Sequence, residues 1–137
     1  MTDDLATVPP GLLAGIRAAR RIVVLTGAGM SSESGIATFR DAMSGLWTRF
    51  RPEDLATPEA FARQPAVVWA WYEARRRQVM RARPNAGHHA LRELAEWRHV
   101  QALDIVTQNV DDLHERAGSA QVQHLHGSLF APRCFDC

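Results

Sequence analysis

His126 stands directly before Gly127. An imidazole of ordinary pKa, about 6.5, can take a proton from a hydroxyl near neutrality, so this residue has the chemistry of a general base. A solitary histidine is more often a packing residue. His88, His89, His99, His114 and His124 are read that way, on helix surfaces or in packing roles. Gln108, Asn109 and Asp111 form a second group, with donors and acceptors suited to an amide and to ribose hydroxyls. The same three would equally serve a polar loop with a helix cap. Gly27, Ala28 and Gly29, followed by Ser31 and Glu33, form a third group. Glycines there admit a tight turn and a close ligand, and a helix amino end beyond them would favour a pyrophosphate. An ordinary βα turn fits as well, because Ser32 occupies the place of the third glycine of the usual dinucleotide fingerprint. Phe39 and Arg40 add an aromatic ring and a cation shortly after this turn. Tyr72 and Arg75, three apart, share one face of a helix. Core aromatics with a solvated basic face would account for most of that stretch, Arg76 and Arg77 included. Cys134 and Cys137 have CxxC spacing, either half of a four-ligand metal site or two thiols.

Those groups need elements to hold them. Ile22 to Leu25 is a continuous apolar run ending at the glycine turn, which reads as a strand buried on both faces. Before it, Leu12, Leu13, Ile16 and Ala19 have helical spacing, so a first helix is expected to reach Arg20 or Arg21. Ser31, Ser32 and Glu33 read as the start of another helix. Asp41 to Trp47 reads as a flexible connection carrying one large aromatic. Thr57, Pro58 and Glu59 make a helix start, and Pro65 opens a longer helix that Pro84 stops. His88 to Trp97 reads as an amphipathic helix with Ala90, Leu91, Leu94 and Ala95 inward. Ala102 to Val106 is a strand that delivers Gln108, Asn109 and Asp111 at its carboxyl end, the edge where ligands bind in open parallel sheets. Val110 to Ala117 is a short helix ended by Gly118, and Val122 to Leu125 is a third strand leading into His126. This alternation predicts an α/β fold with a parallel sheet.

With 137 residues, 46% hydrophobic and 23% charged, the chain holds one domain's worth of core-forming sequence. A net charge of +1 offers no argument for nucleic acid or membrane binding. No apolar run approaches the ~20 residues needed to span a bilayer. The acidic start, Met1 to Asp4, lacks a signal-peptide pattern, so a cytoplasmic location is expected. All 16 basic residues are arginine.

Four blocks together resemble the sirtuin family of NAD-dependent protein lysine deacylases. They are Gly27 to Ser31, Ser34 to Arg40, Thr107 to Asp111, and His126 with Gly127, in the family's order and spacing. The pattern departs at Ala37, which removes no reactive group. The resemblance covers about Leu12 to Cys137 and corresponds to the amino-terminal half or so of such a catalytic domain. It implies a Rossmann-like parallel sheet with helices on both faces, present in part. Residues 1–11 would be a flexible leader, 12–130 the partial NAD-binding domain, and 131–137 the start of a zinc module.

By the same resemblance, NAD is the cofactor. Gly27, Ala28, Gly29, Ser31, Glu33, Phe39, Arg40, Trp47, Gln108, Asn109 and Asp111 belong to its site. Phe39 would shield the reactive ribose, and Arg40 would hold phosphate or ribose. Asn109 and Asp111 would line the nicotinamide-ribose site, with Gln108 on the ribose. The acyl oxygen of a modified lysine attacks the ribose carbon as nicotinamide leaves, and His126 then deprotonates a ribose hydroxyl. Products would be free lysine, nicotinamide and acyl-ADP-ribose. Tyr72 and Arg75, with the small Ala56 upstream, resemble the branch that removes succinyl and malonyl groups, where tyrosine and arginine bind the acyl carboxylate. Cys134 and Cys137 match half of the family's structural zinc site. The partner implied is acylated lysine on protein, with no nucleic acid and no membrane. A binding module that holds NAD or ADP-ribose without turnover is the alternative.

Overall fold

The computed structural model describes residues 8–36 and 52–135. Helix α1 (Pro10–Ala18) opens with proline in its first turn, where a missing N–H is harmless. It stops short of Arg20 because Ala19 is already extended and Arg21 is needed for sheet pairing opposite Ala102. Strand β1 (Arg21–Thr26) runs into the glycine turn and the single turn α2 (Gly29–Ser32). After the undescribed stretch come α3 (Pro52–Leu55), α4 (Pro58–Arg63) and α5 (Pro65–Arg81). Thr57 caps α4, its hydroxyl accepting from the Ala60 amide at 3.1 Å. Helix α5 ends where Ala82 turns extended, two residues before Pro84. Then follow α6 (Ala86–Ala95), β2 (Ala102–Thr107), α7 (Leu113–Arg116) and β3 (Val122–His124).

The three strands lie in the order β1-β2-β3, all parallel, which is the expected α/β architecture. Ile22 pairs with Leu103, Val24 with Ile105 and Thr26 with Thr107, so these six share one face. Leu103, Ile105 and Thr107 are buried, and this face is the core side. On the other face Val23 is 65% and Leu25 78% exposed. The apolar run of β1 is therefore not buried on both sides among the described residues. Among the described residues nothing covers Val23 and Leu25.

Two apolar clusters complete the core. One gathers Ile36, Val79, Ala82, Leu113 and Leu129, and the other Leu55, Ala60, Val68 and Trp71; Tyr72 packs against both. In α6 the inward residue is His88, fully buried, with Leu91 and Leu94 half-buried, while Ala90 and Ala95 are exposed. Asn85 sets this register. Its side chain accepts from the Gly87 and His88 amides, and His88 Nδ1 accepts from the Asn85 amide in return. The helix therefore begins before His88 and turns that ring into the core. Among the described residues no helix is long and apolar enough to cross a membrane.

Candidate functional site

The carboxyl ends of β1, β2 and β3 open onto a cavity of about 550 Å³. From the strand ends it gathers Ala28, Ser31, Gln108, Asn109, Asp111 and His126. From the helical side it gathers Ala56, Tyr72 and Arg75. Nine of the residues expected from the sequence thus line one space, although they come from five separate places along the chain.

Ser31 is the junction of a buried network. Its hydroxyl donates to Asp111 Oδ2 at 2.9 Å and accepts from Asn109 Nδ2 at 3.1 Å. Asp111 Oδ1 accepts from the Leu113 amide at 3.1 Å, so the carboxylate binds the first amide of α7 while holding Ser31. The Asn109 amide donates to Thr107 Oγ1 at 3.0 Å. All of these groups are buried, where a satisfied polar network is rigid and a broken one is destabilising. Helix α2 is only one turn long, starting at Gly29 rather than at Ser31. Glu33 consequently closes its carboxyl end, exposed and outside the cavity lining. Gly27 and Gly29 have open space where a Cβ would stand, and neither has a positive φ. Their contribution is clearance for a ligand rather than a special backbone conformation.

His126 is exposed in the turn after β3. That turn is stitched to the end of β2 by Leu125 N–H on the Thr107 carbonyl and Leu129 N–H on the Val110 carbonyl, each at 2.9 Å. Gly127 lies between them at φ 75°, a left-handed conformation that any side chain would strain. This explains a glycine directly after the histidine.

Tyr72 meets the Trp71 ring edge-on at 4.7 Å, and the Arg75 guanidinium lies 5.2 Å from the Trp71 ring centroid. Burial raises the Tyr72 pKa against the pull of Arg75, so the phenol stays neutral. Burial lowers that of Arg75, with Tyr72 acting the other way, yet a guanidinium remains charged at working pH. The cavity therefore holds a partly desolvated cation on its helical side.

Of the remaining expected residues, Phe39, Arg40, Trp47 and Cys137 lie outside the described residues. Cys134 is exposed. Among the described residues no group of three or more histidine, cysteine or acidic side chains could hold a metal.

Behind the cavity, His88 and His114 pack ring to ring at 4.9 Å, and His114 Nε2 lies 3.0 Å from Thr26 Oγ1 at the end of β1. The sequence leaves both as helix-surface or packing residues, and both are fully buried. Burial pushes each imidazole below the usual histidine range, against the opposing charge of Asp111. Both are neutral in the fold, so protons taken up by the unfolded chain favour unfolding. Their contribution is intact above the unfolded value of about 6.5 and is lost as pH falls below it. Thermal midpoints should therefore drop between about pH 7 and about pH 5, and less steeply in His114→Gln, which has one such group fewer. Parallel curves for the two proteins would exclude this linkage.

Residues 27–137 match the Sir2 family. The chain belongs to the Sir2 family. This sirtuin is 60% identical over 126 residues to NAD-dependent protein deacylase 1 of Pseudomonas aeruginosa, covering 92% of this chain and 48% of that protein. A solved Sir2 homologue–NAD complex superposes with a TM-score of 0.86 at 51% identity, over 96% of this chain and 50% of that one. A Sir2 complex with an inhibitor, 2'-O-acetyl-ADP-ribose and a deacetylated peptide superposes with a TM-score of 0.68 at 30% identity, over 86% and 45% of the two chains. The sirtuin chain spans about half the length of the curated relatives it matches.

Proposed function

We propose that this sirtuin chain carries the NAD and acyl-lysine sites of an NAD-dependent protein deacylase, one that accepts succinyl- and malonyl-lysine as well as acetyl-lysine. The observation that carries the reading is the single cavity shared by His126, the Ser31–Asn109–Asp111 network, and the Tyr72–Arg75 pair. The names of the relatives and the NAD bound in one solved homologue support it. The residues present fit NAD. Gly27 and Gly29 leave clearance for a pyrophosphate, and Gln108, Asn109 and Asp111 offer polar groups to ribose and amide. When bound, NAD supplies the ribose carbon that takes the acyl oxygen as nicotinamide leaves. His126, at the cavity edge, would take the proton from a ribose hydroxyl. The buried network would hold the Asn109 and Asp111 side chains in place throughout, since rigid donors need no reorganisation during reaction. Zinc would be structural. Cys134 and Cys137 offer two thiolates, where such a site takes four ligands.

Arg75 is the basis for acyl choice. It stays charged and can grip a carboxylate with two donors. Acetyl-lysine has no distal carboxylate, whereas succinyl-lysine does. A hydrogen bond to a charged group contributes ~1.5–3 kcal/mol, roughly ten- to 150-fold in rate discrimination. Arg75→Met should therefore lose most activity on succinyl peptides and spare acetyl peptides. The check is kcat/KM on matched peptides for the wild type, Arg75→Met and Arg76→Met, with nicotinamide release as the readout. An equal fall on both acyl groups in Arg75→Met would defeat the acyl assignment. NAD binding without nicotinamide release in the wild type would leave only a binding module.

A further inference from the structure

His124 reads in sequence as a surface or packing residue, yet both of its ring nitrogens face acceptors. Nδ1 lies 2.8 Å from the Asn109 carbonyl oxygen, and Nε2 lies 2.6 Å from Glu115 Oε1. A carbonyl and a carboxylate accept but do not donate, so both contacts are hydrogen bonds only when both nitrogens carry protons. A neutral ring keeps one proton. Glu115, the charged and stronger acceptor, draws that proton to Nε2, and the Nδ1 lone pair then faces the lone pairs of the Asn109 carbonyl.

The Asn109 carbonyl is a consequential place to apply such a hold. The neighbouring Asn109 amide is fixed on Thr107 Oγ1, and the Val110 carbonyl accepts from the Leu129 amide. The Gln108 amide is held by the Thr26 carbonyl, and the carbonyl bound by His124 is a further handle on this turn of backbone. Displacement of that carbonyl would disturb the backbone that carries the Asn109 side chain to Ser31, and with it the support that Ser31 shares with Asp111.

We propose that His124 is a positioning residue which, as an imidazolium, holds the Asn109 carbonyl and thereby sets the Asn109 side chain in the cavity, an inference that rests on the NAD reading of that cavity. The titratable groups facing His124 are Glu115 and His114 from α7 and Asp111 from the turn before it. Burial opposes the charge on His124, but the hydrogen bonds to Glu115 and the Asn109 carbonyl and the charges of Glu115 and Asp111 outweigh it, raising its pKa above the usual value. The sign follows. The hold is present below the usual histidine value and is lost as pH rises through the raised one.

The test is made on the full natural polypeptide. NAD dissociation constants are measured from about pH 6 to about pH 9 for the wild type, His124→Gln and Glu115→Gln, alongside the imidazole nitrogen resonances of His124. The expected wild-type constant weakens about tenfold in step with loss of the His124 proton, the equivalent of one hydrogen bond. His124→Gln should bind about tenfold more weakly and lack that step. Glu115→Gln should keep the step but move it to lower pH, because the anion that favours the imidazolium is gone. A purely structural role would weaken binding without any such pH profile. A neutral, single-tautomer His124 at neutral pH, or wild-type affinity unchanged in His124→Gln, would overturn this inference alone. Absence of NAD binding by the wild type would overturn the cofactor reading and this inference with it.

Discussion

His126→Ala is expected to lower deacylation turnover by about 10²–10⁴, the range for loss of one general base. His126 lies in the turn after β3, separated in sequence from the open backbone at Gly27 and Gly29 that would receive the pyrophosphate. NAD affinity should therefore change little, and the loss should appear in kcat. The fold should also be spared, because the ring is exposed and the turn is held by the backbone bonds of Leu125 and Leu129. Steady-state kinetics on an acyl peptide, paired with NAD titration of the same variant, separate the two effects. Turnover within tenfold of wild type would remove His126 from the role of base, as would a loss confined to NAD binding.

Asp111→Ala should be the most destabilising polar substitution near the site. Asp111 is buried and accepts from two buried donors, the Ser31 hydroxyl and the Leu113 amide. Removing the carboxylate leaves both unsatisfied, at ~1–3 kcal/mol each, so a fall of ~2–6 kcal/mol in unfolding free energy is expected. That is a large part of the ~5–15 kcal/mol by which domains are stable. Asp111→Asn should fall less, since its carbonyl oxygen can still accept one bond. NAD binding should weaken in both variants, because Ser31 and Asn109 lose a shared anchor. Urea unfolding checks this through the midpoint at unchanged slope. A midpoint shift in Asp111→Ala no larger than that of an exposed control such as Glu33→Ala would contradict the network's role.

Much of this site is legible in the sequence because its motifs are local. The apolar run ahead of Gly27, the polar residues after the second strand, and the histidine before Gly127 each mark a strand end by composition alone. Alternating strands and helices then require a parallel sheet, and ligands gather at the carboxyl edge of such sheets. The resemblance to sirtuins used the same local blocks, and the family match over residues 27–137 bears it out.

Other features depend on which distant residues meet. Ser31 reads locally as a helix start. Its actual partners, Asn109 and Asp111, stand 78 and 80 positions away and reach it only because β1 and β2 pair in register. Glu33 falls at the carboxyl end of α2 because that helix is a single turn that begins at Gly29, which its local residues do not mark. The inward face of α6 turns on Asn85, whose side chain also donates to the Met30 carbonyl across the fold. Burial of β1 depends on what lies against it, and an apolar run cannot report its own cover. His124 and His126, two apart at the end of one strand, look alike in sequence. Only the packed structure places one against the Asn109 carbonyl and Glu115 and the other at the cavity, because side-chain partners are chosen by tertiary geometry.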